Sequence, residues 1–157
     1  AARGGRRRDS GGGRALLGEA RKGDCGAVGR VSPNLRTQDG VVPRSKRPEI
    51  MQFIRQVSAE SGLRIPNVFH AGDGNIHPLV LYDERDPSQV ERALAACHEI
   101  LEQCIQKGGS VSGEPGLGVQ KLDFITKQLA HDSSAGKKSL TQIFDPEKRS
   151  TPTKMLP

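Results

Sequence analysis

The chain of 157 residues fits a single domain, and 34% hydrophobic and 3% aromatic content, with no tryptophan, allow only a thin core. The formal charge of +6 sits at one end: residues 1–36 carry nine Lys/Arg against three Asp/Glu, and residues 37–157 carry fifteen of each. The remainder therefore lacks the basic surface of a nucleic-acid binder, and the chain shows no membrane-length apolar run, no secretory h-region and no G-x-x-x-x-G-K-[ST] phosphate loop. A cytoplasmic protein is expected.

In chain order, residues 1–20 are rich in arginine and glycine and read as a disordered arm, because such a segment cannot bury enough apolar surface to fold alone. An RGG-like nucleic-acid arm would want interleaved aromatics to stack on bases, and none is present; a solvated tail, or the product of an altered frame or start, is the preferred reading. Residues 21–157 are assigned to one domain. Pro48 to about Ser61 is expected to form an amphipathic helix with Ile50, Phe53, Ile54 and Val57 inward and Gly62 as its stop. Asn67 to Tyr82 reads as a hairpin. Pro87 and Ser88 open the longest helix, which ends at Gly108-Gly109; Val90, Ala93, Leu94, Cys97, Ile100, Leu101, Cys104 and Ile105 trace its buried stripe. Cys97 and Cys104 are then core residues, and with Cys25 they make an odd set that argues against a disulfide framework. His98 falls on the polar face. Ser110 to Ser112 is a short strand before a glycine-rich turn, and Leu129 to Gly136 is polar and irregular.

The hairpin carries the chemistry. In His70-Ala-Gly-Asp-Gly-Asn-Ile-His77, a two-residue turn at Asp73-Gly74 would set His70 directly opposite His77. Val68, His70, Asn75, His77 and Leu79 would share one face; Phe69, Ala71, Ile76, Pro78 and Val80 would form the apolar other. Two imidazoles on a rigid pair of strands are candidate metal ligands, although hydrogen-bonded surface histidines are the plainer alternative, and a slip of one residue would part them. Glu114, in the turn Gly113-Glu-Pro-Gly-Leu-Gly118, is a candidate third ligand, or else a solvated charge. Two histidines and a carboxylate suit zinc or non-haem iron with positions left open for substrate.

These segments resemble the C-terminal, substrate-side domain of FAD-linked 2-hydroxy-acid oxidoreductases of the vanillyl-alcohol-oxidase superfamily, such as the glycolate oxidase flavin subunit and D-lactate dehydrogenases. Gln38-Asp-Gly-Val-Val-Pro-Arg44, His70 through His77, and Gly113-Glu114 with Gly116 and Gly118 carry the likeness, which covers roughly 120 to 140 residues. The resemblance implies an α+β fold, a ferredoxin-like antiparallel sheet with helices packed on one face. It implies oxidation of a small 2-hydroxy acid to a 2-oxo acid with hydride passing to FAD. It further implies a divalent ion (Zn, Fe or Mn) on His70, His77 and Glu114, with Arg44 and Asn75 as substrate contacts; Arg44 could equally be a surface residue.

Three departures qualify this. The family places a histidine, a suspected base, after the glutamate, and here Pro115 stands there, so no catalytic residue is assigned. Thr151-Pro-Thr-Lys154 replaces the family's closing turn. Only about 40 residues precede the first signature, too few for a flavin domain. The expectation is therefore an incomplete domain whose FAD is bound mainly elsewhere, on a separately encoded flavin domain or oxidase subunit; the alternative is a non-catalytic remnant or metal-binding module.

Overall fold

The structure, a computed structural model, describes residues 28–70, 72–114, 117–129 and 131–150. The arm at 1–20, Cys25, Pro115 and the Thr151–Lys154 segment lie outside them.

The organising element is an eight-residue strand, β4 (Asn75–Tyr82), with β1 (Asn34–Thr37) and β2 (Gly40–Val41) antiparallel along one edge and β3 (Asn67–His70) antiparallel along the other. β1 and β2 share one register, Thr37 opposite Leu79 and Gly40 opposite Ile76, so they are a single strand interrupted at Gln38 and Asp39. The interruption has a chemical cause. The Gln38 N–H donates to the Pro78 carbonyl, but Pro78 has no N–H to return to the Gln38 carbonyl. A proline in a central strand is unusual for that reason. Neither β1 nor β2 was anticipated from the sequence; both are short, and their partner is distant in the chain.

The hairpin differs from expectation in register. His70 pairs with Asn75, Phe69 with Ile76 and Val68 with His77, so the loop holds four residues rather than two. Asp73 N–H donates to the His70 carbonyl, and Gly74 takes a left-handed φ of 79° while its carbonyl accepts from Val42 N–H. That bond to the neighbouring strand's extension fixes Gly74 and opens the loop. Because the shift is by two, the described side chains keep their expected faces, and Ala71 lies outside the described residues. Ile76, Pro78 and Val80 are buried as expected, but Phe69 is 45% exposed, since β3 is an edge strand and the longest helix lies over β4 and β2.

Two helices cover that face. α1 (Arg47–Ser61) buries Ile50, Ile54 and Val57 and stops at Gly62, whose φ of 67° supplies the left-handed cap. α2 (Pro87–Gln106) starts where the Asp86 side chain accepts from Ser88 N–H, and buries Ala93, Ala96, Cys97, Ile100, Leu101 and Cys104. Leu94, expected inside, is 46% exposed. It stands instead at the mouth of a cleft lined by Arg36, His98 and Phe124. The main core joins these helices to Val42, Leu63, Ile65, Ile76 and Val80; a smaller cluster of Leu101, Val111 and Phe124 supports the glycine-rich turn. Burial raises both thiols, Cys104 to about 12, so these cysteines are inert core residues.

The fold is α+β with an antiparallel sheet. The expected strand at 110–112 is reduced to one bridge, Val41 with Ser110. A short helix, α3 (Leu122–Gln128), follows the turn. The segment expected to be irregular at 129–136 instead enters a helix, α4 (His131–Phe144). Leu140, Ile143 and Phe144 recur at helical spacing in its second half and are 56%, 70% and 84% exposed.

Candidate functional site

On the sheet face opposite the helices, β4 presents Asn75 and His77, and the last residue of β3 presents His70. Since Val68 faces His77 and Asn75 faces His70, the histidines are diagonal neighbours rather than direct partners. Their rings meet edge to face at 85°, centroids 5.4 Å apart. His70 is exposed and His77 half-buried.

The His77 ring is oriented from behind. Its Nδ1 lies 3.3 Å from the Gln38 carbonyl, the one that Pro78 leaves without a ladder donor, and 3.9 Å from Asp39 Oδ1. A carbonyl only accepts, so this contact places the proton on Nδ1 and leaves the Nε2 lone pair facing the site. Asn75 Nδ2 stands 3.4 Å from that Nε2. The Asn75 amide is buried, and its Oδ1 has no hydrogen-bond partner among the described residues.

The third side comes from the turn after Ser110. A Cβ on Gly113 would lie 2.7 Å from both Asn75 Nδ2 and Val41 Cγ2, so only glycine lets this loop lie against the sheet. Asp39 holds it there. Its carboxylate accepts from Ser112 Oγ at 2.6 Å, from Gly113 N–H at 3.0 Å and from Glu114 N–H at 3.4 Å, and Lys121 Nζ lies 3.7 Å away. Burial alone would raise the Asp39 pKa; the Ser112 hydroxyl, the Lys121 charge and the two backbone N–H groups outweigh it and hold it below the ordinary carboxylate value. Lys121 is itself anchored, donating to the Asp39 and Val111 carbonyls at 2.7 and 2.6 Å; its pKa is lowered by burial and only partly restored by Asp39.

The result brings one ligand atom each from His70, His77 and Glu114 within 4.8 Å of one another. Two imidazole nitrogens and a carboxylate are a donor set that divalent zinc, iron or manganese accepts. The unpartnered Asn75 Oδ1 beside them is a polar group that a bound ligand or water would satisfy. Arg44, the other expected substrate contact, begins a 3-10 turn and is exposed. Its backbone nitrogen lies 3.8 Å from where a Gly74 Cβ would stand, so it borders the hairpin loop.

His98 is apart from this group, on α2, with Glu102 at 3.6 Å and the Phe124 ring at 4.7 Å. Asp39, Ser112 and Lys121 were not singled out from the sequence. A signal existed for Asp39, a carboxylate inside an otherwise strand-like run, but its position opposite His77 depends on a pairing between segments forty residues apart.

The family described as FAD linked oxidases, C-terminal domain, matches residues 7–155. The chain is 40% identical over 137 residues to the glycolate oxidase subunit GlcD of Escherichia coli K12, covering 87% of this chain and 28% of that protein. It is 34% identical over 140 residues to the corresponding Bacillus subtilis subunit, covering 89% and 30%. With the mitochondrial D-lactate dehydrogenase [cytochrome] of Kluyveromyces lactis it shares 29% over 133 residues, covering 85% and 23%. The chain thus spans under a third of the length of these relatives.

Proposed function

The chain belongs to the C-terminal domain family of FAD-linked oxidases, and from that premise we propose that it is the substrate- and metal-side part of an FAD-dependent 2-hydroxy-acid dehydrogenase of glycolate or D-lactate type. The observation that supports this reading is the convergence of His70, His77 and Glu114 on one sheet face beside a buried, half-satisfied amide. We assign the FAD mainly to the part of the relatives' length that this chain does not match, whether on the same polypeptide or a separate subunit.

His70 and His77 would hold a divalent ion through ring nitrogens and Glu114 through a carboxylate oxygen. Such an ion supplies Lewis acidity toward a hydroxyl and a charge for a carboxylate. The chain's own residues do the rest. The Gln38 carbonyl keeps the proton on His77 Nδ1, so Nε2, which the Asn75 amide nitrogen faces at 3.4 Å, is the nitrogen that would ligate once that amide turns aside. Asn75, its amide nitrogen beside His77, would hydrogen-bond a small polar ligand, and Arg44, exposed at the hairpin loop, would attract the carboxylate of a hydroxy acid.

A second reading, a metal-binding module without turnover, is favoured by one observation. Proline at 115 provides no titratable group where the family resemblance places a base, and a general base contributes about 10²–10⁴-fold.

Metal bound per chain, measured by elemental mass spectrometry on the purified protein and its His70→Ala variant, tests the site. Near-stoichiometric zinc, iron or manganese that is lost in the variant is expected. A folded protein that holds none and acquires none on addition would remove the metal reading. Glycolate or D-lactate should perturb the visible spectrum of the cobalt-loaded protein, and should do so less after Arg44→Ala; an inert spectrum would count against the hydroxy-acid assignment.

A further inference from the structure

Asp39 occupies a position that no ligand assignment uses. It lies in the two-residue gap between β1 and β2, and the shared register of those strands sets it opposite His77 on the site face. Its carboxylate meets two structures with no sequence proximity. On one side is the His77 ring, with Nδ1 at 3.9 Å. On the other are Ser112 Oγ and the backbone N–H groups of Gly113 and Glu114, residues more than seventy positions along the chain. Lys121 Nζ closes a third side at 3.7 Å and also grips the Asp39 carbonyl, so the aspartate is held at both its backbone and its side chain.

We propose that Asp39 is the positioning residue of this site: one carboxylate that sets the His77 ring and the Glu114-bearing loop in a common frame, so that ligands from two separate segments converge. The proposal rests on the metal reading above. The Gln38 carbonyl holds the Nδ1 proton; the Asp39 carboxylate, 3.9 Å from the same nitrogen, holds the ring's orientation, and such outer partners are worth about 10–100-fold in metal affinity. Here the same group also accepts from the N–H of the glutamate itself. Displacing it loosens two of the three ligands together. Ser112 contributes by bridging, donating to Asp39 while its oxygen accepts from Glu114 N–H at 3.3 Å. Asp39 touches neither substrate nor ion in this arrangement and acts only through the residues it holds.

The test uses the full 157-residue chain with Asp39→Asn, which keeps the shape and one acceptor, and Asp39→Ala. Zinc affinity is read by competition with a chromophoric chelator. In the metal-free protein, nitrogen NMR reads the His77 ring nitrogens and the Gly113 and Glu114 amides. The expected result is a roughly 10–100-fold loss of zinc affinity in Asp39→Ala and a smaller loss in Asp39→Asn. The His77 ring nitrogen signals should shift in both, with both loop amides displaced. Should the alanine variant fail to fold, the asparagine variant decides alone. A folded Asp39→Asn with unchanged affinity, ring nitrogen signals and loop amides would overturn the proposal. Absence of zinc binding in the unsubstituted chain would sink the metal reading instead; the metal-free spectra would then still decide the positioning role, joint displacement of ring and amides sustaining it and unchanged signals refuting it.

Discussion

Glycine 113 shows how little room the candidate site leaves. A methyl group there would press on the Asn75 amide and on Val41, both seated in the sheet and unable to retreat. Gly113→Ala should therefore lift the loop, carry Glu114 away from the histidines and reduce metal uptake, with a stability loss of about 1–3 kcal/mol. Metal titration beside urea denaturation checks both effects. His98→Ala provides the matched control: its imidazole lies against Phe124 on the helical layer, so metal uptake should stay as it was, whereas His77→Ala should abolish it. Equal losses in the two histidine variants would mean that the sheet-face assignment is wrong. At this scale the sequence was informative about the ligands and silent about their supports. His70, His77 and Glu114 could be named because their spacing and turn context are local. Asp39 and Lys121 could not, because each acquires its meaning from a neighbour reached only after the chain has folded back.

Among the elements, α1 and α2 were legible almost to the residue, since Ile50, Ile54 and Val57, like Ala93, Cys97, Ile100 and Cys104, recur at helical spacing. The hairpin was legible as to face and wrong as to register. Asp73-Gly74 does form part of the turn, but the bond from Val42 N–H to the Gly74 carbonyl belongs to a third segment that no local rule foresees. Glu49 joins the two helices, with Lys107 Nζ at 2.8 Å and Lys46 Nζ at 2.9 Å. The Lys107 hydrogen bond above all, then that from Lys46, lowers its pKa from 4.5 to about 2. A carboxylate depressed on folding stabilises above its unfolded value and loses that contribution as pH falls through its folded value. The difference in urea midpoint between the protein and Glu49→Gln should thus be constant above about pH 5.5, shrink from pH 4.5 downward and vanish near pH 2. A difference that grows on acidification would contradict the assignment.

For the molecule as a whole, packing is concentrated between β4 and two helices, and α4 stands largely outside it. Ile100, only 1% exposed, should cost about 2–5 kcal/mol when truncated to alanine, while Leu140→Ser and Ile143→Ser on α4 should each stay within about 0.5 kcal/mol. Chemical denaturation of the three variants distinguishes a helix that supports the core from one that does not. The fold class was accessible from the sequence because helical periodicity and one strong hairpin suffice to imply an α+β sandwich. The sheet order was not, since β1 and β2 are four and two residues long, too short for their sequence to declare a strand. Among the described residues, no helix is long and apolar enough to cross a membrane.

Pro78 bears on how this site could be moved or copied. An unbroken strand at that point would use up the Gln38 carbonyl in ordinary pairing and leave the His77 ring to choose its own tautomer. The octapeptide His70–His77, transplanted into another sheet, would take the imidazoles along and leave their anchor behind. A designer grafting this centre would have to carry the gap too: a proline one residue past the second histidine, and beside it a neighbouring strand whose carbonyl has been left unanswered.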